Sequence, residues 1–450
     1  MTVKSAGATS WQLVAYSLPI IAIEFVIYPV LAILPAFYIH LSGGGLAAYA
    51  TALVASRLVY SCSGPLVGYL SDRIETPWGR RIPWIVAGLA VEIVSVALLF
   101  TPPGDAGSLY FAWTSALVLF GFSMIDVPYI AWGSEITRDY QMRSRITSYR
   151  AVFAIIGQLV FLLLPFLPAF GGHSFLQRVV VAHLGVAAIV LLVVTIALAL
   201  LFTPRTSEAM SAQPTRTPAL RVLLHMARNR PMWYLTGATI FTFLPYVIQT
   251  TLALPLLASL GLASDFSPIT IAGMVSAIAT MPLWVWVTKR IGKHRTWTLG
   301  LVIMMLAPAV FFVVAHFFGV LAGMYASTIV GVFPLAQISA SLPYAIMGDV
   351  IDYDELRTRA NHSATYSAII LLVIRLQVAI GGSIALYILA ALRFDARAVN
   401  PAVIQPAMLA GFFFVPVVLL AAAVLFIAPF PIDARRAEVV RKRLVTRERS

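Results

Sequence analysis

Charge is scarce in this chain. Of its 450 residues, 11% are Asp, Glu, Lys or Arg, where soluble domains carry about 25%. A water-soluble globule is excluded on that ground, because too little polar surface is available to cover it. Cysteine is nearly absent. Cys62 stands alone, so no intrachain disulfide and no multi-thiolate metal site can form, and a packing role is expected for it. The seven histidines are scattered. His183 and His316 fall in apolar stretches, where helix-interface hydrogen bonding is the expected role. Also missing are a His-Glu-x-x-His pair, a Gly-x-Ser-x-Gly elbow and a phosphate-gripping glycine-rich loop. An intramembrane enzyme is therefore disfavoured, and neither cofactor nor metal is expected. No signalling domain accompanies the apolar runs, which disfavours a receptor without transport.

What the chain has instead is hydrophobic length. It is 60% hydrophobic with a mean hydropathy of +0.90. Apolar runs lie near 13–39, 46–70, 82–102, 108–134, 149–170, 179–203, 232–261, 267–288, 296–316, 319–347, 364–392 and 405–430. Each is about as long as a bilayer-spanning helix. The polar start Met1–Gln12 leads into the first run without a small-residue cleavage site. The first run is thus expected to act as an uncleaved anchor.

The net charge of +13 suggests nucleic acid until the basic residues are sorted by side. Connectors after even-numbered runs hold Arg73, Arg80, Arg81, Arg138, Arg143, Arg145, Lys289, Arg290, Lys293, Arg295, Arg357 and Arg359, besides the basic 204–231 segment. Connectors after odd-numbered runs hold only Arg178, Arg393 and Arg397. The positive-inside rule then places both termini in the cytoplasm. The tail Arg435–Arg449 carries seven basic residues, which read as a topology determinant against anionic lipid. No nucleic-acid partner is expected.

An internal repeat orders these runs. Pro128-Tyr129-Ile130-Ala131-Trp132-Gly133-Ser134-Glu135 ends the fourth, and Pro343-Tyr344-Ala345-Ile346-Met347-Gly348-Asp349-Val350 ends the tenth. Asp139-Tyr140 answers Asp352-Tyr353, and Arg143 and Arg145 answer Arg357 and Arg359. The loop Thr288–Arg295 echoes the loop Asp72–Trp84. The expected fold is an all-α integral membrane protein of twelve transmembrane helices in two six-helix halves. The halves are 1–203 and 232–432, with a Pro- and Arg-containing cytoplasmic linker at 204–231 and a basic tail at 433–450. Within the linker, Ala219–Arg228 has the pattern of a surface amphipathic helix.

Charges at bilayer depth are costly and mark cavities or partners. Here they are Glu24, Arg57, Glu92, Asp126, Arg150 and Arg375. Glu24, Asp126 and Arg150 are the leading solute-binding candidates. A carboxylate accepts two sugar hydroxyls, and a guanidinium donates to others. Pro128, two residues after Asp126, removes a backbone donor and bends the helix. Tyr28, Tyr129, Trp132 and Tyr344 could stack on the apolar face of a sugar ring, or pack between helices. A buried ion pair with Arg57, Arg150 or Arg375 is the alternative reading for Glu24 and Asp126. For Glu92, local pairing is as good a reading as a transport role.

At these residues the chain resembles the glycoside–pentoside–hexuronide:cation symporters of the major facilitator superfamily, the family of the bacterial melibiose permease. The resemblance runs through all twelve runs. It is carried by Asp72–Trp84 with Trp78-Gly79-Arg80 and Pro83-Trp84, by Asp139-Tyr140 with Arg143, and by Gly348-Asp349-Val350-Ile351-Asp352-Tyr353-Asp354-Glu355. The loop Leu70–Arg81 also looks like that of proton-coupled sucrose carriers. The resemblance puts the family's sugar-binding acids on Glu24 and Asp126, its helix-5 arginine on Arg150, its helix-2 arginine on Arg57, and its helix-11 lysine on Arg375. The sodium-coupled members carry two Asp one turn apart before a proline. Counted back from Pro65, those positions hold Gly64 and Tyr60. Two hard oxygen ligands are gone, so proton coupling through Asp126 or Glu24 is expected rather than sodium coupling.

The reading implied is a secondary transporter of a sugar or glycoside in the cell membrane, working by alternating access with H⁺ symport, as a monomer. Asp72, Arg80, Arg81, Asp349 and Asp352 are the expected conformational gating residues. An uncoupled facilitator, or a carrier of lysolipids or other amphiphiles, is the alternative within the same fold.

Overall fold

A computed structural model describes residues 10–42, 45–74, 76–135, 140–167, 175–203, 229–335, 338, 342–358, 363–394 and 404–448. They are helical throughout, apart from short turns. Among them, nine helical stretches are long and apolar enough to cross a membrane. The described residues fall into two compact units, one of residues up to 203 and one of residues from 229 on.

The N-terminal unit contains α1 (Ser10–Ser17), α2 (Pro19–Ala32), α3 (Leu34–Ser42), α4 (Leu46–Arg73), α5 (Ile82–Phe100), α6 (Ser108–Glu135), α7 (Tyr140–Leu163) and α8 (Arg178–Phe202). The first apolar run is thus three helices rather than one. Pro19 opens α2 and Pro35 is the second residue of α3. Proline fits the first turn of a helix but lacks the N–H that would continue the preceding one, so each interrupts the run. Pro35 strands the carbonyl of Leu31. Arg57 Nη2, from α4, donates to that carbonyl at 3.1 Å. The helix expected near 149–170 begins earlier, at Tyr140, because Arg143 and Arg145 are good helix formers outside the apolar run. Within this unit α6 packs on both α4 and α5, and α2 packs on α7 and α8. Cys62 is exposed on α4 rather than packed in the core.

The C-terminal unit holds α9 (Arg230–Ser259), α10 (Phe266–Ile291), α11 (Lys293–Met304), α12 (Ala307–Phe318), α13 (Val320–Val332), α14 (Leu342–Thr358), α15 (Ser363–Ala391), α16 (Ile404–Ile427) and α17 (Ala434–Glu448). The run expected at 296–316 is split into α11 and α12, and Pro308 lies in the first turn of the second piece. The run at 319–347 likewise becomes α13 and α14. Here α9 packs against α15 and α16, and α12 against α13. A core cluster includes Trp297, Leu301, Ile346, Val350, Tyr366 and Ile427. The proline device recurs. Pro416 strands the carbonyl of Phe412, and Gln249 Nε2 from α9 donates to it at 3.2 Å.

Many large apolar side chains face outward. On α8, Val186, Val190 and Val194 form an exposed row at helical spacing. In water such a row would drive association; against hydrocarbon it is the solvent-facing side. The protein is multi-pass and membrane-embedded. The 204–228 part of the expected linker, with Ala219–Arg228, lies outside the described residues, as does Asp139.

Candidate functional site

Within the N-terminal unit, α2, α6 and α7 bring together the three charged residues singled out above. Arg150 Nη2 lies 3.5 Å from Asp126 Oδ1, and their side chains keep 19% and 13% of their surface accessible. The pair is therefore shielded but not sealed. Glu24, half-buried on α2, is within Coulombic reach of both. Its Oε2 accepts a hydrogen bond from Gln158 Nε2 at 2.9 Å.

Close helix approach makes this possible. A Cβ at Gly157 would run into the carbonyl oxygen of Ile21. Only glycine lets α7 lie this near α2, one turn from Glu24, and so sets Gln158 against the carboxylate. Gly133 plays the same part for Tyr16, whose hydroxyl occupies the space a Cβ would need.

Tyr16 and Tyr129 form the wall beside the pair. Their rings stack at 4.5 Å with 15° between planes. The Tyr16 hydroxyl donates to the Tyr129 carbonyl at 2.8 Å, and the Tyr129 hydroxyl donates to the Tyr16 carbonyl. Arg150 also faces the Tyr16 hydroxyl, and its guanidinium carbon sits 4.9 Å from the Tyr129 ring centroid. A planar cation between a carboxylate and an aromatic face is held in one orientation. Trp132 meets Tyr16 edge-on at 5.8 Å. Tyr129 and Trp132 are 1% and 2% exposed, so other side chains cover their rings in this conformation. Tyr28, the other aromatic candidate on α2, lies 5.8 Å from Phe161.

Just along α6, Ser123 accepts a hydrogen bond from Ser63 Oγ of α4 at 2.7 Å. Tyr60 lies against Phe122, ring centroids 5.7 Å apart. Tyr60 of α4 is thus packed on a phenylalanine, and Gly64, one turn on, is buried. Glu92 is buried against α6 at Gly121, and its Oε2 has no hydrogen-bond partner among the described residues.

The remaining candidates lie elsewhere. Arg81 donates through Nη1 to Ser71 Oγ at 3.1 Å, tying the start of α5 to the end of α4. Arg80 is half-buried beside it. Asp72 lies in the last turn of α4, with its side chain outside the described set. In the C-terminal unit Asp349 is buried and pairs with Lys293 at 2.6 Å. Lys293 also donates to the carbonyl of Ala345. Asp352 is half-buried on the same helix. Arg375 is buried in α15 and Tyr344 is exposed on α14.

Charge reading in the sequence missed Gln158, Tyr16 and Lys293 as partners. The first two are uncharged and resemble packing residues within apolar runs. Lys293 reads as one more basic residue of a connector.

The chain matches the sequence model of the MFS/sugar transport protein family over residues 15–434. The chain belongs to that family. It is 25% identical over 456 residues to the putative glycoside/cation symporter YagG of Escherichia coli, covering 96% of this chain and 94% of that protein. It is 26% identical over 387 residues to the inner membrane symporter YicJ of the same organism, covering 82% and 80%. Among solved structures, the nucleoside transporter NupG superposes with a TM-score of 0.64 at 12% identity, over 94% of this chain and 100% of that one. That likeness shows the fold alone. The protein is a secondary membrane transporter, not an enzyme.

Proposed function

We propose that the chain moves a sugar or glycoside across the membrane by alternating access, with H⁺ as the coupling ion. The observation that carries this reading is the Arg150–Asp126 pair, set beside Tyr16 and Tyr129 and next to a Gln158-bound Glu24. Two carboxylates and one guanidinium within a few side chains of each other match a polyhydroxylated solute. The acids accept hydroxyl protons and the arginine donates. The glycoside named for YagG is in keeping with this chemistry.

Coupling follows from the pair. With Asp126 ionised, Arg150 is satisfied by it. A proton on Asp126 removes the ion pair and frees the guanidinium donors for solute, so proton and solute bind together. Sodium has no comparable cage, because Tyr60 and Gly64 supply no carboxylate and Ser63 and Ser123 bond to one another. Arg375, carried over from the resemblance, is proposed as a further solute contact.

The surrounding architecture is proposed as twelve spans in two halves, 1–203 and 232–432, joined by 204–231, with both termini cytoplasmic. Asp72, Arg80, Arg81, Asp349 and Asp352 act on the equilibrium between states rather than on solute. The deciding experiment is uptake of glycosides into proteoliposomes, with sodium varied at fixed pH and then with the proton gradient collapsed. Uptake driven by the proton gradient and indifferent to sodium is expected. Strict sodium dependence, with no response to a protonophore, would overturn the assignment.

A further inference from the structure

Asn229 directly precedes α9, with extended backbone (φ −88°, ψ 94°), and its side chain does not cap the helix. Asparagine at this position ordinarily turns its Oδ1 back onto a free N–H of the first turn. Pro231 has none to offer, so the donor within reach is Met232. Here the Met232 N–H bonds instead to the backbone carbonyl of Asn229, at 3.0 Å.

The side chain is used elsewhere. Asn229 Nδ2 donates to the hydroxyl of Tyr366, on α15, at 2.8 Å. The Tyr366 hydroxyl in turn faces the carboxylate of Asp354, on α14. The three residues come from the start of α9 and from two other helices, and are 3%, 0% and 4% exposed. Tyr366 belongs to the same core cluster as Met232 and Val350, so the contact is made inside packed surroundings. Asn229 Oδ1 is buried with no hydrogen-bond partner among the described residues. A buried acceptor left bare raises the energy of the arrangement that leaves it so.

We propose that Asn229 is a two-position conformational switch within the C-terminal unit. In the conformation described here it latches the start of α9 to α15 through Tyr366, with Asp354 of α14 behind the hydroxyl. In another conformation of the transport cycle Nδ2 releases Tyr366, the starts of α9 and α15 part, and Oδ1 caps α9 through the Met232 N–H. Each position uses one half of the amide and leaves the other half idle. A helix cap and a buried hydrogen bond are of similar worth. Neither position therefore dominates, and a modest bias on α14 or α15 selects between them. Asp349 and Asp352, of the proposed gating set, lie on α14 with Asp354, so the switch sits where a change of state is felt. Such a switch presupposes alternating access, but neither a particular solute nor a particular coupling ion.

The test needs no solute. Spin labels are placed at Trp233→Cys on α9 and Leu371→Cys on α15, both exposed positions, in the full-length Cys62→Ser chain reconstituted in lipid. Electron paramagnetic resonance should show two distances between them. Tyr366→Phe removes the latch and spares the cap, so it should shift the ratio of the two populations about fivefold toward the longer distance, the change that one hydrogen bond is worth. Asn229→Asp cannot donate to Tyr366 but caps well, and should shift it at least as far. Asn229→Ala loses latch and cap together; its ratio should stay close to wild type, although its unfolding midpoint falls most. If Asn229→Asp gives no folded protein, Tyr366→Phe against Asn229→Ala decides alone. A single distance that no variant alters would overturn the switch. So would an Asn229→Ala shift equal to that of Tyr366→Phe, by showing a fixed contact with no second position.

Discussion

Arg57 donates through Nη2 to the backbone carbonyl of Leu31 at 3.1 Å. That carbonyl would bond to residue 35 in a continuous helix, but residue 35 is proline and has no N–H. A buried cation on α4 thus completes a broken backbone ladder in the first apolar run. Leaving a buried carbonyl unsatisfied costs about 1–3 kcal/mol. Arg57→Met should lower the thermal unfolding midpoint in detergent by several degrees. Pro35→Ala should recover much of that loss in the double variant, because alanine at that position supplies the missing donor. Additive losses in the double variant would refute the assignment.

The Arg150–Asp126 pair makes a sharper demand on side-chain shape than on charge. Arg150 meets a carboxylate, the Tyr16 hydroxyl and the Tyr129 ring at once. Lysine keeps the charge but cannot serve all three. Arg150→Lys should therefore reduce solute binding at least about tenfold, the equivalent of ~1.4 kcal/mol. Asp126→Asn should abolish proton-driven accumulation while sparing counterflow exchange at most. Binding titrations with the best glycoside, alongside counterflow, separate the two effects. Wild-type affinity in Arg150→Lys would show that only a point charge is needed.

Most of this cluster is legible in the sequence, for a physical reason. A charge inside an apolar run stands out, and Glu24, Asp126 and Arg150 are such charges. Gln158 and Tyr16 do not stand out, because their roles depend on how closely α7 and α6 approach α2 and α1 at Gly157 and Gly133. Helix existence is likewise legible from hydrophobic length. The breaks at Ile33 and between α11 and α12 are not, although Pro35 and Pro308 are in plain view. Whether a proline ends a helix or merely bends it is not read from the proline alone: Pro35 sits at a break and Pro416 stays inside α16, although a side chain satisfies the stranded carbonyl at both. Arg57 shows the same limit. Its charge stands out in the sequence, and its contact with the Leu31 carbonyl does not.

Gln158 gives a prediction that separates positioning from bulk packing. Gln158→Glu keeps the shape but sets a second carboxyl against Glu24, so the donor to Oε2 is lost wherever both are ionised. Uptake should fall most at high pH and recover as pH is lowered. Gln158→Leu should lose activity with a flatter pH profile. Identical profiles for the two variants would mean that Gln158 only fills space.

Asp349 and Lys293 allow the same logic in the C-terminal unit. The carboxylate is 5% exposed and the ammonium 33%, so removing either partner leaves its mate in a half-dry site. Cutting one member of such a pair is more damaging than cutting both. Asp349→Asn and Lys293→Met should each lower the unfolding midpoint and slow counterflow. Asp349→Asn/Lys293→Met should lie closer to wild type than the sum of the two losses predicts. A double-mutant cycle on both readouts measures the coupling. Near-zero coupling energy in stability would show that the 2.6 Å contact contributes nothing net. Coupling in stability without coupling in counterflow would assign the pair to folding of the C-terminal unit and remove Asp349 from the proposed gating set.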